Sequence, residues 1–386
     1  MQIQSIQEVY LDYYIMNANL FHLGIESSLN LSFLEEKLWQ RYEYITFNRI
    51  VQGIISACLS NRLFPVIKCV KNSTISKRIA IEVTEFFEQN NEFIRRECSR
   101  EQNGLLFIYD RREDPITPLL NQWTYQSMLH ELLGINNNIV ELKHEGGKTE
   151  KFTLSDFDDK FFKQNLNNEF DVVADEIKNV VEKLNKESES IDKKVDTVDD
   201  LKRFIDKLPE KKKESTEITK HTNLFYELSE IVQNRKLFEL SALEQDLACY
   251  DNKKDHYNKI VNIIKDIKFS RLDKAKLFLL FCFRYEDDSS VENLKKIMED
   301  NNLKEWVEYS DYLVVYAGKR KRTLDVLSNK DFLAKSSKIF SSFIFKNQNL
   351  FFQHVSYLNS LLEKVIKGKT KESEVETIYK VTEREK

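Results

Sequence analysis

The chain has 386 residues, 41% of them hydrophobic and 32% charged, with a formal net charge of −4 and a pI near 6.0. That length holds two or three domains with real cores, and the slight acidity leaves no basic field of the kind nucleic acid requires. Glycine (8) and proline (4) are scarce, which favours helices.

The first segment, MQIQSIQEVY, lacks the basic start and apolar core of a signal peptide. Residues 9–16, VYLDYYIM, are rich in tyrosine and β-branched types and predict a strand. Apolar residues at helical spacing over 31–59 predict a helix. LFPVIKCV at 63–70 predicts a second strand, with Pro65 near its start, where a missing N–H is tolerated. Ser73 or Thr74 then caps a helix that carries Ile75, Ile79, Val83, Phe86, Ile94 and Cys98 on one face. LLFIY at 105–109 predicts a third strand, and a helix is expected from about Asn121 to Leu133, closed by Gly134. Such strand–helix alternation predicts a parallel sheet covered by helices. HEGGKTE is expected to turn a hairpin.

Beyond about residue 160 only helical patterns remain. Phe170, Val173, Ile177, Val180, Val181 and Leu184 form one stripe, and a charged segment at 185–197 reads as a mobile linker. Val198, Leu201, Phe204, Ile205 and Leu208 form a second stripe that stops at Pro209; Leu224, Phe225, Leu228, Ile231 and Val232 resume the period. Helices continue to a charged tail. The longest apolar run, LFLLFCF at 277–283, is too short to span a bilayer, so a membrane role would act through a partner. The five cysteines are scattered and never spaced as CxxC, so they read as reduced core residues rather than disulfides or zinc ligands. The six histidines make no HExxH.

The stretch GLLFIYDRREDPITPLLNQWTYQSMLHELLGINNN at 104–138 ends a strand on a dense run of charge. Ligands of open parallel sheets bind beyond the carboxyl ends of the strands. Asp110 and Asp114 there could bind a metal or serve phosphoryl transfer. Against this, no glycine-rich phosphate loop follows the strand, and neither GxSxG nor GxxxxGK[ST] occurs. The preferred reading is structural: Asp110 and Asp114 pair with Arg111 or Arg112 and accept turn N–H groups, while Pro115 and Pro118 belong to the turn and helix entry.

The same stretch resembles the signature of the SM family, the Sec/Munc proteins that regulate SNARE-driven membrane fusion. Asp110, Arg111, Asp114, Pro115, Thr117, Pro118, Leu119, Leu120, Trp123, Thr124, Tyr125, Gln126 and Met128 carry the resemblance, and HELLGI at 130–135 is similar to the vacuolar-protein-sorting branch between endosomes and the trans-Golgi. Further matches follow in order: DLKRFIDKLPE, TKHTNLFYELSEIV, LSALEQDLACYDN, AKLFLLFCFRYE, YAGKRKR and LLEKVIKGK. The resemblance covers nearly the whole chain.

It implies an α+β, mostly helical chain, part of an arch in which a parallel α/β sheet domain carries a large inserted helical domain. On this chain the map is 1–16 as a remnant of the N-terminal domain, 17–155 as the first part of the middle domain, 156–345 as the inserted helical domain with a hairpin near 198–232, and 346–386 as an incomplete return. Only IQEVYLDYYIMN resembles the family's N-terminal domain, which holds the syntaxin N-terminal peptide, and the closing strands of the middle domain are not found; the chain is expected to be a fragment or a minimised member with unpaired sheet edges. DRREDP is then a structural turn built on Asp110, Arg111, Asp114, Pro115, Pro118 and Trp123.

The function implied is non-enzymatic regulation of SNARE assembly in Golgi/endosome-to-vacuole transport, in the cytoplasm and peripherally on those membranes. Partners would be a syntaxin-type SNARE and vesicle SNARE helices, with tethering proteins as further candidates. No cofactor, metal or nucleic acid is expected. A helix-in-groove surface is required, and Phe204, Leu208, Pro209, Lys212, Phe225 and Leu228 of the hairpin are its candidates. For Phe225 and Leu228 a core role is an equal reading, and for the lysines a solvated turn. The competing readings are a phosphotransfer enzyme using Asp110 and Asp114, and a truncated scaffold without syntaxin binding.

Overall fold

The computed structural model describes residues 5, 11–25, 42–97, 104–143, 147–187, 213–323 and 350–379. Tyr14–Asn17 (β1) pairs antiparallel with Leu20–His22 (β2) in a sheet of their own. The strand expected over 9–16 therefore starts later and stands apart from the main sheet. This ribbon is tied to helix Tyr42–Ser60 (α1) from its N-terminal side: the Asp12 N–H donates to Ser56 Oγ at 2.9 Å, and Arg49 meets the Asp12 carboxylate at 3.0 Å.

Val66–Val70 (β3) enters the core with Ile67 and Cys69 fully buried. Ser73 caps Thr74–Gln89 (α2), its Oγ accepting the Ser76 N–H at 3.1 Å, and Ile79, Val83 and Phe87 cover the sheet. The helical pattern breaks at Asn90, after which Asn91–Glu97 (α3) leads towards Leu105–Ile108 (β4). β3 and β4 are parallel, Val66 opposite Leu105 and Cys69 opposite Ile108.

The next strand of this sheet is Val375–Tyr379 (β7), antiparallel to β3 and in the order β4-β3-β7. The sheet is thus mixed, where strand–helix alternation predicts a parallel one. Direction is set by how the chain returns, and the return is the long excursion between β4 and β7.

That excursion begins with Tyr125–Met128 (α4), extended by a π turn over Leu129–Leu133. The helix expected from Asn121 starts four residues later for a physical reason. The Trp123 carbonyl accepts the Phe170 N–H at 3.0 Å, and the Tyr125 and Gln126 N–H groups donate to the Asn168 and Leu166 carbonyls at 2.9 and 3.0 Å. The first-turn donors are satisfied by a distant loop instead of by their own helix. Gly134 closes the turn with φ +85°, its N–H bonded to the Leu129 carbonyl at 2.9 Å. Ile139–Lys143 (β5) and Thr149–Thr153 (β6) form the expected hairpin, although 144–146 lie outside the described residues.

Helices follow: Lys160–Asn165 (α5), Phe170–Glu187 (α6), Lys213–Asn234 (α7), Leu237–Cys249 (α8), Lys253–Lys265 (α9), Arg271–Arg284 (α10), Ser289–Asp300 (α11), Lys304–Ala317 (α12) and, after 324–349, Tyr357–Ile366 (α13). α10 carries the LFLLFCF run, and Leu277 through Phe283 are each at most 4% exposed. A helix apolar on every side belongs at the centre of its domain. One continuous core joins Ile116–Leu154 to the helices, while a second lies under β3, α1 and α2.

Candidate functional site

β4 delivers the chain to Asp110, and DRREDPITPL folds there as two short 3-10 turns, Arg111–Glu113 and Thr117–Leu119. Asp110 caps the first: its Oδ1 accepts the Arg112 N–H at 3.0 Å and the Tyr316 hydroxyl at 3.1 Å. Its Oδ2 accepts the hydroxyl of Ser73, the cap of α2, at 2.6 Å and lies 3.4 Å from Arg112 Nε. Arg112 also donates to the Asn72 carbonyl. Glu113, 1% exposed, accepts the Thr323 N–H at 2.8 Å, and burial raises its carboxyl above the usual range.

Asp114 is fully buried. Its Oδ1 accepts the N–H groups of Ile116 (3.2 Å) and Thr117 (3.0 Å); its Oδ2 accepts the Thr117 hydroxyl (2.6 Å) and the N–H of Tyr357 (2.9 Å). The Thr117 hydroxyl, its proton committed to Asp114, accepts from His354 Nε2 at 3.0 Å. Arg111, expected to share the pairing, is exposed, and among the described residues no carboxylate lies within salt-bridge distance of it. The arginine–aspartate pairing reduces to Arg112 with Asp110; Asp114 is held by N–H groups and a hydroxyl. Pro115 is half-buried between the turns, and Pro118 is the second residue of the Thr117–Leu119 turn, where no N–H is needed.

The turn is therefore a junction. Through Asp110, Glu113 and Asp114 it fastens the start of α2, the end of α12 and the start of α13 to one strand exit. Every carboxylate oxygen of Asp110 and Asp114 accepts from a protein donor and both side chains are buried, so the geometry gives the phosphotransfer reading no support. Among the described residues no three His, Cys, Asp or Glu side chains converge as a metal site would need.

Downstream, two buried bridges join the same segment to the helices. Asn121 presents its N–H and Nδ2 to Glu244 at 2.8 and 2.9 Å and accepts from Lys276 Nζ at 2.7 Å, while Lys276 also meets Glu131. Burial pushes the Glu244 carboxyl up to about 7 against the pull of Lys276 and the Asn121 N–H. Trp123, 3% exposed, donates to Ser241 Oγ at 3.1 Å and forms a three-ring cluster with Phe238 and Phe351, whose centroids lie 4.8 and 4.9 Å from its own and 5.5 Å from each other. Sequence reasoning identified Trp123 but not Glu244 or Lys276, which carry no local signal because their partners are more than a hundred residues away.

The second bridge runs Tyr125, His221, Asp159. The Asp159 carboxylate caps α5 through the Phe162 N–H (2.8 Å) and accepts His221 Nε2 at 2.8 Å and Lys220. Since a carboxylate can only accept, Nε2 carries the ring proton and Nδ1 accepts the Tyr125 hydroxyl at 2.9 Å. Burial lowers His221 below its ordinary value, against the pull of Asp159; burial raises Asp159, but the bonds from His221 and Lys220 outweigh it and hold the carboxyl well below the usual range. Although the order resembles a nucleophile-activating triad, Tyr125 and His221 are fully buried, so no substrate reaches the hydroxyl.

Of the hairpin candidates, Phe204, Leu208, Pro209 and Lys212 lie outside the described residues. Phe225 and Leu228 are placed in the core, 3% and 0% exposed, not on the surface where a partner contact would put them. Phe225 stacks on Phe170 of α6 at 4.5 Å and 17°. Their apolar spacing is the seam between α6 and α7, and a seam has the same period as a docking stripe.

The chain matches the Sec1 family over residues 1–385. It belongs to that family. Vacuolar protein sorting-associated protein 45 of Homo sapiens is 34% identical over 379 residues, covering 96% of this chain and 64% of the human protein. The protein of that name from Dictyostelium discoideum is 33% identical over 374 residues, covering 96% of this chain and 65% of its own length. The chain thus spans a little under two thirds of these relatives. Among solved structures, the SM protein Vps45 in complex with the Qa SNARE Tlg2 aligns over 94% of this chain and 65% of that one, with a TM-score of 0.77 and 29% identity. The Unc18–syntaxin 1 complex from Monosiga brevicollis, at 14% identity, TM-score 0.66, 87% of this chain and 61% of that one, shares the fold. The α+β, mostly helical fold expected from the sequence is therefore that of this chain, which matches part of the Sec1-family arch.

Proposed function

We propose that this chain regulates SNARE assembly in Golgi/endosome-to-vacuole transport by holding a syntaxin-type SNARE and offering a surface to vesicle SNARE helices. The observation that carries the reading is the likeness, over 94% of the chain, to Vps45 bound to a Qa SNARE. The chemistry of the DRREDP junction supports binding over catalysis, because the Asp110 and Asp114 carboxylates hold the strand exit together. Its place would be cytoplasmic and peripheral on Golgi or endosomal membranes; no helix of the described residues is long and apolar enough to cross a membrane. In this reading 1–16 is a remnant of the N-terminal domain, 17–155 the first part of the middle domain, 156–345 the inserted helical domain, and 346–386 an incomplete return to the middle domain.

The partner surface proposed is the hairpin near 198–232, with Phe204 and Leu208 as apolar contacts, Lys212 as part of a basic rim, and Pro209 at the tip. Continuing a helix through Pro209 would lose a backbone hydrogen bond and clash with the preceding turn, at a cost of roughly 3 kcal/mol. Pro209→Ala is expected to extend the helix and raise affinity for a vesicle SNARE helix by at most about tenfold. Hydrogen exchange across 205–222 beside a SNARE pull-down tests it. Slower exchange with unchanged binding would part the extension from function, and no change in either removes Pro209 from the mechanism.

A further inference from the structure

The outward face of α12 combines features that the described residues leave uncovered. Tyr309, Tyr312 and Val315 recur every three residues and are 54%, 63% and 57% exposed. Trp306, half-buried, packs against the helical core beside this stripe, its ring 5.7 Å from that of Tyr309. The acidic residues of this face already have cations beside them: Arg271 at Glu305, Lys304 at Glu308 (3.8 Å) and Lys295 at Asp311 (2.8 Å). The helix ends at Ala317, and the chain then exposes Lys319, Arg320 and Lys321, with no carboxylate within salt-bridge distance of their side chains among the described residues. Arg322 differs: it turns inward to Glu286 at 3.1 Å.

An apolar stripe at helical spacing that runs into a cationic end unmatched among the described residues fits one kind of occupant. We propose that α12 docks an amphipathic helix of a partner protein, its apolar face along Tyr309, Tyr312 and Val315 and its acidic end over 319–321. An anionic bilayer fits less well, because Glu305, Glu308 and Asp311 lie in the same band as the tyrosines and would enter the headgroup layer with them. A second copy of the chain in antiparallel register would bring acids that are already matched against the cations, and leave the charge unsatisfied. The surface is separate from the hairpin near 198–232, so it stands whether or not that hairpin binds SNARE helices.

The test uses the full chain and a labelled designed peptide, an amphipathic helix with a leucine face and glutamates towards one end, read by fluorescence anisotropy. The expected result is saturable binding that falls about tenfold in Tyr312→Ser and again in the combined K319E/R320E/K321E variant, with unaltered melting and with a lysine version of the peptide failing to bind. Equal binding of both peptides, or affinities that the substitutions leave unchanged, would overturn the proposal. So would co-sedimentation with phosphatidylserine vesicles, or self-association in the ultracentrifuge, if Tyr312→Ser abolished either one while peptide binding stayed intact.

Discussion

Asp114 makes no ion pair among the described residues and accepts four hydrogen bonds, one of them from Tyr357, 243 positions away. Removing its carboxylate leaves buried N–H groups and a hydroxyl without acceptors. Asp114→Ala is expected to lower folding stability by about 2–3 kcal/mol, read as the shift of the urea midpoint. A variant that unfolds like the parent would mean that this carboxylate holds nothing together. Asp110→Ala is expected to cost about 1–3 kcal/mol, because the Ser73 and Tyr316 hydroxyls and the Arg112 N–H lose their acceptor. His221 gives a pH prediction. Its folded pKa lies below its ordinary value of about 6.5, so the unfolded chain binds the extra proton. The stability that His221 contributes is present above that pH and lost as pH falls through it towards the folded value, by up to about 1.4 kcal/mol per pH unit. Protonation would also turn Nδ1 from acceptor to donor and break its bond from Tyr125. His221→Gln should therefore cost more at pH 7.5 than at pH 5.5 in urea titrations; an equal cost at both would place the proton elsewhere.

Elements were legible where one local signal sufficed. The stripe Phe170, Val173, Ile177 and Val181 predicted α6, Ser73 predicted the start of α2, and the β5–β6 hairpin followed from its glycines. They were not legible where distant groups decide. The start of α4 is set by carbonyls at 166–168, and the antiparallel direction of β7 by a return across some 270 residues. Phe225 and Leu228 show a deeper limit, since periodicity records that a face is covered and not by what. Phe225→Ala is expected to destabilise the helical domain by about 3–5 kcal/mol, as for a lost core aromatic. A melting temperature held at the parent's value together with loss of a SNARE partner would return Phe225 to the docking surface. The DRREDP junction was half legible: charge density marked it and Asp110, Arg112 and Asp114 were named, but Ser73, Tyr316, Thr323 and Tyr357 are found only when the chain is folded.

At the scale of the whole molecule, one strand exit gathers α2, α12 and α13, and one core runs from Ile116 into the helices. The end of α12 is thereby held to the sheet and its covering helices through the bonds of Tyr316 to Asp110 and of Thr323 to Glu113, which suits the proposed role of presenting surfaces at fixed positions. The central claim is that the chain acts by binding a syntaxin-type SNARE and that its carboxylate-rich turn does no chemistry. Calorimetric titration of the chain with the cytosolic part of such a SNARE, in EDTA and without nucleotide, tests this most directly. The account predicts saturable one-to-one binding with no metal present. Absence of binding, together with turnover of a nucleotide or phosphate ester that Asp114→Ala abolishes in a still-folded protein, would contradict it.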